Sequence, residues 1–260
     1  MKRLFGYIVF LFFITVLVNG CSENDNTVNT VTGSVSPLTS SYDSKFAADW
    51  LWLTCKIVAD QSRDNPPQAG RVYSYACITV YQCVVPGMPL NRSLSGQLKE
   101  MPVMPIAYPS SEYDWPSVLT GAMPVMLRGL FRDLYNSSNV MITNMYNRQK
   151  SERLSEKDAE IVNRSILYGE SVAHKLLEWA NQDGFYRIKG LPYTPPPRSE
   201  FPGNWEPINP GDTCVEPYWG TLRTFALPTA DYNEIPPSFP FDTTAGSPFY
   251  NDEYEIFQIR

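Results

Sequence analysis

The sequence predicts an all-α protein, a helical bundle with a long extended segment laid on it, and three observations carry that expectation. Apolar residues recur at spacings of three and four through successive stretches between Phe46 and Ala180. Several of those stretches open on a capping residue or a proline and close on Gly or Pro. Beyond Gly184 the chain turns rich in proline but keeps interleaved aromatics, which is too apolar for a disordered linker. Hydrophobic residues make up 43% of the 260 positions and aromatics 13%, enough to bury a sizeable core.

The elements follow in order. The first helix runs from about Ser44 to Ser62, with Phe46, Trp50, Leu53, Ile57 and Val58 on one face. The second begins at Asn65-Pro66-Pro67. Asn65 can accept a backbone N–H, and proline suits the first helical position because its missing donor would be unpaired there anyway. Ala69, Val72, Tyr73, Ala76, Val80, Cys83 and Val84 then repeat helically until Pro86-Gly87. Met88 to Tyr113 holds Pro89, Pro102, Pro105 and Pro109 and reads as a loop with at most one short helix, around 93–98. A third helix covers Ser117 to Leu134, kinked or broken at Pro124, and a fourth covers Ser138 to Lys150.

The fifth helix has the strictest period. Ser155 and Asp158 form a start resembling a capping box. Ala159, Val162, Ile166, Gly169, Ala173, Leu176 and Ala180 make a stripe that is partly small, so a neighbouring helix can approach closely. Asp183-Gly184 closes it with a left-handed cap. From Leu191 to Phe241 an extended segment is pinned by the aromatic anchors Trp205, Tyr218, Trp219, Phe225 and Phe239. Ser247-Pro248 opens a last helix with Tyr250, Tyr254 and Phe257 on its apolar face. It is read either as a short helix docked on the core or as the start of an interrupted longer protein.

The N-terminus sets the compartment. Lys2 and Arg3 precede an apolar run from Leu4 to Val18 that is too short to span a bilayer comfortably, and residues 1–20 read as a signal peptide. Val18-Asn19-Gly20-Cys21 resembles a bacterial lipobox, which implies cleavage before Cys21 and lipid attachment to its thiol. Glu23 and Asp25 just after it resemble the surface-export signal of Bacteroidota lipoproteins. Residues 21–43, rich in Ser, Thr and Asn, are expected to be a flexible tether, followed by the bundle over 44–190 and the wrapping segment over 191–260. The expected location is the cell envelope, on an outer-membrane lipoprotein exposed at the surface. A formal charge of −6 argues against a nucleic-acid partner and against electrostatic adsorption to a membrane, leaving the lipid as the anchor. Cys55, Cys77, Cys83 and Cys214 match no zinc spacing. They read as buried free thiols, although an oxidising envelope permits disulfides. Cys77 and Cys83, six apart on one helix, point in different directions.

Several blocks carry a family resemblance. They are Asn65-Pro66-Pro67-Gln68-Ala69-Gly70-Arg71-Val72-Tyr73-Ser74-Tyr75-Ala76, Val84-Val85-Pro86-Gly87-Met88, Arg92-Ser93-Leu94-Ser95-Gly96-Gln97-Leu98, Trp179-Ala180-Asn181-Gln182-Asp183-Gly184 and Val215-Glu216-Pro217-Tyr218-Trp219-Gly220-Thr221-Leu222-Arg223-Thr224-Phe225. In that order they resemble the N-terminal half of Bacteroidota vanadium-dependent haloperoxidase-like proteins, a branch of the type 2 phosphatidic acid phosphatase (PAP2) superfamily. The resemblance implies a helical bundle whose site binds phosphate or vanadate. That chemistry needs a lysine, two arginines, a serine with backbone donors, and two histidines, one axial and one acid/base. In the family these lie in Lys…Arg-Pro, Pro-Ser-Gly-His and Arg…His blocks.

The sequence contains no Arg-Pro and no Ser-Gly-His, and its single histidine, His174, falls on the margin of the fifth helix's stripe. The expectation is therefore a non-catalytic N-terminal portion with no catalytic, cofactor or metal residues of its own. The vanadate or phosphate blocks are expected beyond Arg260, on a complementary C-terminal fragment. Arg63, Asn65 and Arg71 read as capping and scaffold residues. A second reading is a ligand- or glycan-binding lipoprotein using Trp205 and Trp219 as stacking surfaces. Asp60, Asp64 and Glu178 are not spaced as a paired-carboxylate site, and there is no Gly-x-Ser-x-Gly elbow.

Overall fold

The computed structural model describes residues 35–61, 65–200, 202–232 and 239–259. The leader, Cys21, Arg63, Asp64 and Pro236-Pro237 lie outside them. Among the described residues there are seven α-helices and no strand: α1 (Lys45–Gln61), α2 (Pro66–Val84), α3 (Trp115–Leu130), α4 (Asn136–Glu156), α5 (Ala159–Asn181), α6 (Phe185–Ile188) and α7 (Pro248–Ile259). The all-α expectation holds.

Short polar side chains set the starts of α2 and α3. Asn65 accepts the Gln68 N–H at 3.1 Å, as its place before two prolines predicts. α3 starts earlier than the apolar spacing suggests. Asp114 accepts from the Ser117 N–H at 3.2 Å and from the Ser117 hydroxyl at 2.6 Å, with Pro116 in the first turn. Trp115 is buried there and donates to Pro37 O at 2.7 Å.

Pro124 sits inside α3 without ending it. The helix stops at Leu130, short of the expected Leu134, because Phe131 turns extended (φ −116°, ψ 101°). Arg132 then rides over the Tyr186 ring at 3.5 Å. The 93–98 stretch forms turns rather than a helix.

α4 outruns its expected end at Lys150. It is mostly polar, burying only Ser138, Ile142 and Gln149, so its sequence carries little period to read. Its last turn is held by Arg153, which clamps buried Asp114 through Nε and Nη2, both at 2.9 Å. Ser155 belongs to this helix, donating to Glu152 O, and Asp158 makes no side-chain cap to α5. The capping-box reading is thus corrected.

The core is built around α3 and α5. A Cβ on Gly169 would lie 1.9 Å from Val118 O, and one on Gly121 would lie 2.3 Å from Ile166 O. Each helix presents glycine where the other's backbone comes nearest, as the small residues of the α5 stripe anticipate. Val118, Ala122, Met126, Val172, Ala173 and Leu176 fill the surrounding space. Gln149 ties three helices together inside this core. Its Oε1 accepts from Trp50 Nε1 at 2.8 Å and from the Thr120 hydroxyl at 3.1 Å, and its Nε2 donates to Phe46 O at 3.1 Å.

The chain before α1 is bound to the bundle in its described part. Val35 N donates to Pro109 O at 3.2 Å, and the Thr39 hydroxyl donates to Val84 O at 2.7 Å. The extended segment after α6 uses fewer anchors than the aromatic count suggests. Phe225 packs against Tyr75 and Trp179 with centroids at 5.2 and 5.7 Å, and Trp219 meets Phe185 edge-on at 6.2 Å. Tyr218 meets Tyr193 within the segment itself. Trp205 is 44% exposed and Phe239 is exposed too, so neither is an anchor.

Ser247 caps α7 as its sequence predicts, accepting the Tyr250 N–H at 3.1 Å. α7 is not docked on the core, however. Tyr254, Ile256, Phe257 and Ile259 are exposed, and Tyr250, Tyr254 and Phe257 stack on one another.

Candidate functional site

A buried charged cluster lies where α2 meets the end of α5. Arg71 is on the buried face of α2 and is only 5% exposed. Its Nε donates to Asp183 Oδ2 at 2.6 Å and its Nη2 to Ala180 O at 3.0 Å. Its guanidinium also faces the rings of Phe185 at 4.6 Å and Tyr75 at 5.0 Å. Asp183 Oδ2 accepts a second bond from the Tyr75 hydroxyl at 3.0 Å, while Oδ1 accepts the Phe185 N–H at 2.9 Å. Arg223 adds a second cation, donating from Nη2 to Trp179 O at 2.9 Å and to the Tyr75 hydroxyl oxygen at 3.2 Å. It lies over the Trp179 ring at 4.5 Å.

Helix geometry explains the assembly. The last carbonyls of α5 have no partner within the helix and sit at its negative end, so buried cations are stabilised there. Asp183 then offsets the Arg71 charge, because a lone charge in the interior is costly. Burial, and next the charge of Asp183, push the Tyr75 phenol well above its ordinary value, so it stays a neutral donor. Every oxygen of Asp183 is committed and Tyr75 holds its proton. The Arg71–Asp183–Tyr75 contacts thus fasten α2 to the end of α5.

The other sequence candidates scatter. His174 is exposed on α5, away from the cluster's residues. Asn65 caps α2 and also donates to Glu216 Oε1 at 2.8 Å, joined by Gln68 at 2.7 Å, so it pins the extended segment. Asp60 is exposed on α1, and Glu178 pairs with Lys175 at 2.8 Å. The four downstream cysteines are free, but only Cys83 is buried, and burial pushes its thiol up. Cys55 and Cys77 are exposed and Cys214 is half-buried, which corrects the buried-thiol reading. Trp219 is spent on Phe185, so Trp205 and Trp219 do not both serve as open stacking faces.

Among the described residues no group of three His, Cys, Asp or Glu is placed to hold a metal ion, and no helix is long and apolar enough to cross a membrane. A groove of about 650 Å³ runs between α1 and α4, lined by Trp52, Leu53, Met141 and Met145, with Asp49, Lys56 and Arg148 at its edges. Lys45, ahead of Arg148, holds the Asp49 carboxyl below its usual value.

Sequence reasoning missed Asp183, Arg223, Asp114 and Arg153 as partners. Asp183 was legible only as a helix end. Nothing in local spacing links Arg71 to a residue 112 positions away.

The chain matches no family model and no curated protein. Among solved structures it is similar to one described as the first bacterial vanadium-dependent iodoperoxidase, at 20% identity and a TM-score of 0.69. The fold is haloperoxidase-like. The likeness covers 83% of this chain and 50% of the other, so the chain spans half the length of that structure. The single imidazole is on an exposed helix face, and Arg71 is consumed by Asp183.

Proposed function

We propose that these residues form the scaffold portion of a lipid-anchored envelope protein of the vanadium haloperoxidase/PAP2 type, without turnover of their own. The observation that carries this reading is His174, a lone and exposed imidazole where the family resemblance implies two that converge on the oxyanion. The match to half the length of a haloperoxidase-type structure supports it. In this reading a vanadate or phosphate site belongs to a complementary helical portion. Cys21 carries the lipid, and the mature chain faces the cell exterior from the outer membrane. The polar stretch after Cys21 supports the anchor reading, because it offers little apolar surface to fold on its own.

The experiment has two arms. Labelled palmitate fed to cells expressing the full chain is expected to mark the protein, and Cys21→Ser is expected to abolish the mark; labelling that survives the substitution contradicts the anchor. The purified protein is expected to leave a chromogenic phosphate monoester intact. Hydrolysis that tracks the protein through purification contradicts the scaffold reading.

A further inference from the structure

Beside the Arg71–Asp183 junction, the end of α5, the 99–100 turn and the 221–223 stretch border a solvent-facing hollow of about 470 Å³. Lys99, Arg187 and Arg223 line it, together with Glu100 and Asp183. Asp183 is neutralised from behind by Arg71, so three cations face one further carboxylate, Glu100, on a chain that is acidic as a whole.

Arg223 makes the hollow more than a charged surface. Its side chain is 6% exposed, and only Nη2 makes hydrogen bonds, with Trp179 O and the Tyr75 hydroxyl. Nε and Nη1 are buried with no hydrogen-bond partner among the described residues. A buried guanidinium N–H without an acceptor is unfavourable, and native structures seldom leave one so. Glu100 is the nearest carboxylate, but its Oε2 stands 3.8 Å from Nη1, beyond hydrogen-bond reach, and the side chain is 66% exposed. The walls are fixed. Trp179 Nε1 donates to Lys99 O at 3.1 Å, Lys99 N to Phe225 O at 2.7 Å, and Lys99 Nζ to Pro228 O at 2.8 Å.

We propose that this hollow binds a small phosphate-type oxyanion, which displaces the Glu100 carboxylate and accepts from Arg223, with Arg187 and Lys99 adding positive charge at its rim. Guanidinium groups donate strongly to phosphate oxygens, and three cations favour a doubly charged anion over a single carboxylate. The hollow is open, so the phosphate can be free or the end of a larger molecule. This inference stands independently of the scaffold reading, which concerns turnover.

The test is titration calorimetry on the purified protein in phosphate-free buffer, with inorganic phosphate in one arm and glycerol phosphate in the other. Saturable binding is expected in at least one arm, and the tighter arm tells a free ion from a terminal group. Arg187→Gln and Lys99→Gln alter exposed side chains, so the fold survives, and each is expected to weaken binding about tenfold by removing a charge-assisted bond. Glu100→Gln removes the competing carboxylate and is expected to tighten binding severalfold. If Arg223 merely caps α5, neither arm saturates. That result, or a Glu100→Gln variant that binds more weakly, or two cation variants that bind unchanged, overturns the proposal.

Discussion

The α3–α5 contact and the extended segment after α6 hold together in opposite ways. In the first, two glycines let backbones approach and apolar side chains fill the surrounding space, so each turn adds contacts to the last. In the second, regular hydrogen bonding is sparse. Attachment falls on a few residues: Phe225 between two rings, Arg223 on the α5 carbonyls, and Glu216 under Asn65 and Gln68. One region is stabilised by repetition and the other by single points. A change at one point should therefore act locally in the segment and globally in the core.

The largest effect is expected at high pH. Burial comes first in pushing the phenols of Tyr42, Tyr75 and Tyr168 well above their ordinary value of 10.0. A folded-state value raised above the unfolded one gives stability that is fully present below pH 10 and lost as pH rises toward the folded values. The bundle is expected to unfold cooperatively above pH 10, with phenolate absorbance and loss of helical circular dichroism rising together. Full phenolate titration with helicity intact contradicts the burial of these rings.

Asp183→Ala comes next. It leaves Arg71 charged and uncompensated in the interior, and breaking a buried pair costs about 3–5 kcal/mol. Urea unfolding should show that loss in its midpoint. Gly169→Ala forces a methyl against Val118 O, and overpacking of this kind costs roughly 1–3 kcal/mol. Phe225→Ala removes a partly buried ring, roughly half of a full aromatic burial, so about 1 kcal/mol. Its sharper signature is faster proteolysis within 191–232 at unchanged core stability. Trp205→Ala is expected to change stability by less than about 0.5 kcal/mol, since the ring is exposed. A large loss there would show that the segment is anchored where the sequence expected and the structure does not.

What was legible in the sequence follows the same division. The Asn65-Pro66-Pro67 start and the small residues of α5 were readable because their causes are local: an unpaired N–H, a fixed φ, a repeat of three and four. α4 ran past its expected end because a polar, half-exposed helix shows little apolar period, and its last turn depends on Asp114, 39 residues away. Trp205 and Trp219 look alike by composition, yet among the described residues only Trp219 of the two meets a ring. For the site, the isolation of His174 was readable from a count of one. Lys99, Arg187 and Arg223 converge from separate stretches, and no spacing rule joins them.

The most direct test of the scaffold account is halide oxidation by the purified protein with hydrogen peroxide and added orthovanadate, run beside His174→Ala. No turnover above the protein-free mixture is the expected result for both proteins. Vanadate-dependent iodide or bromide oxidation that disappears in His174→Ala would show that one imidazole on this chain suffices, and would contradict the account.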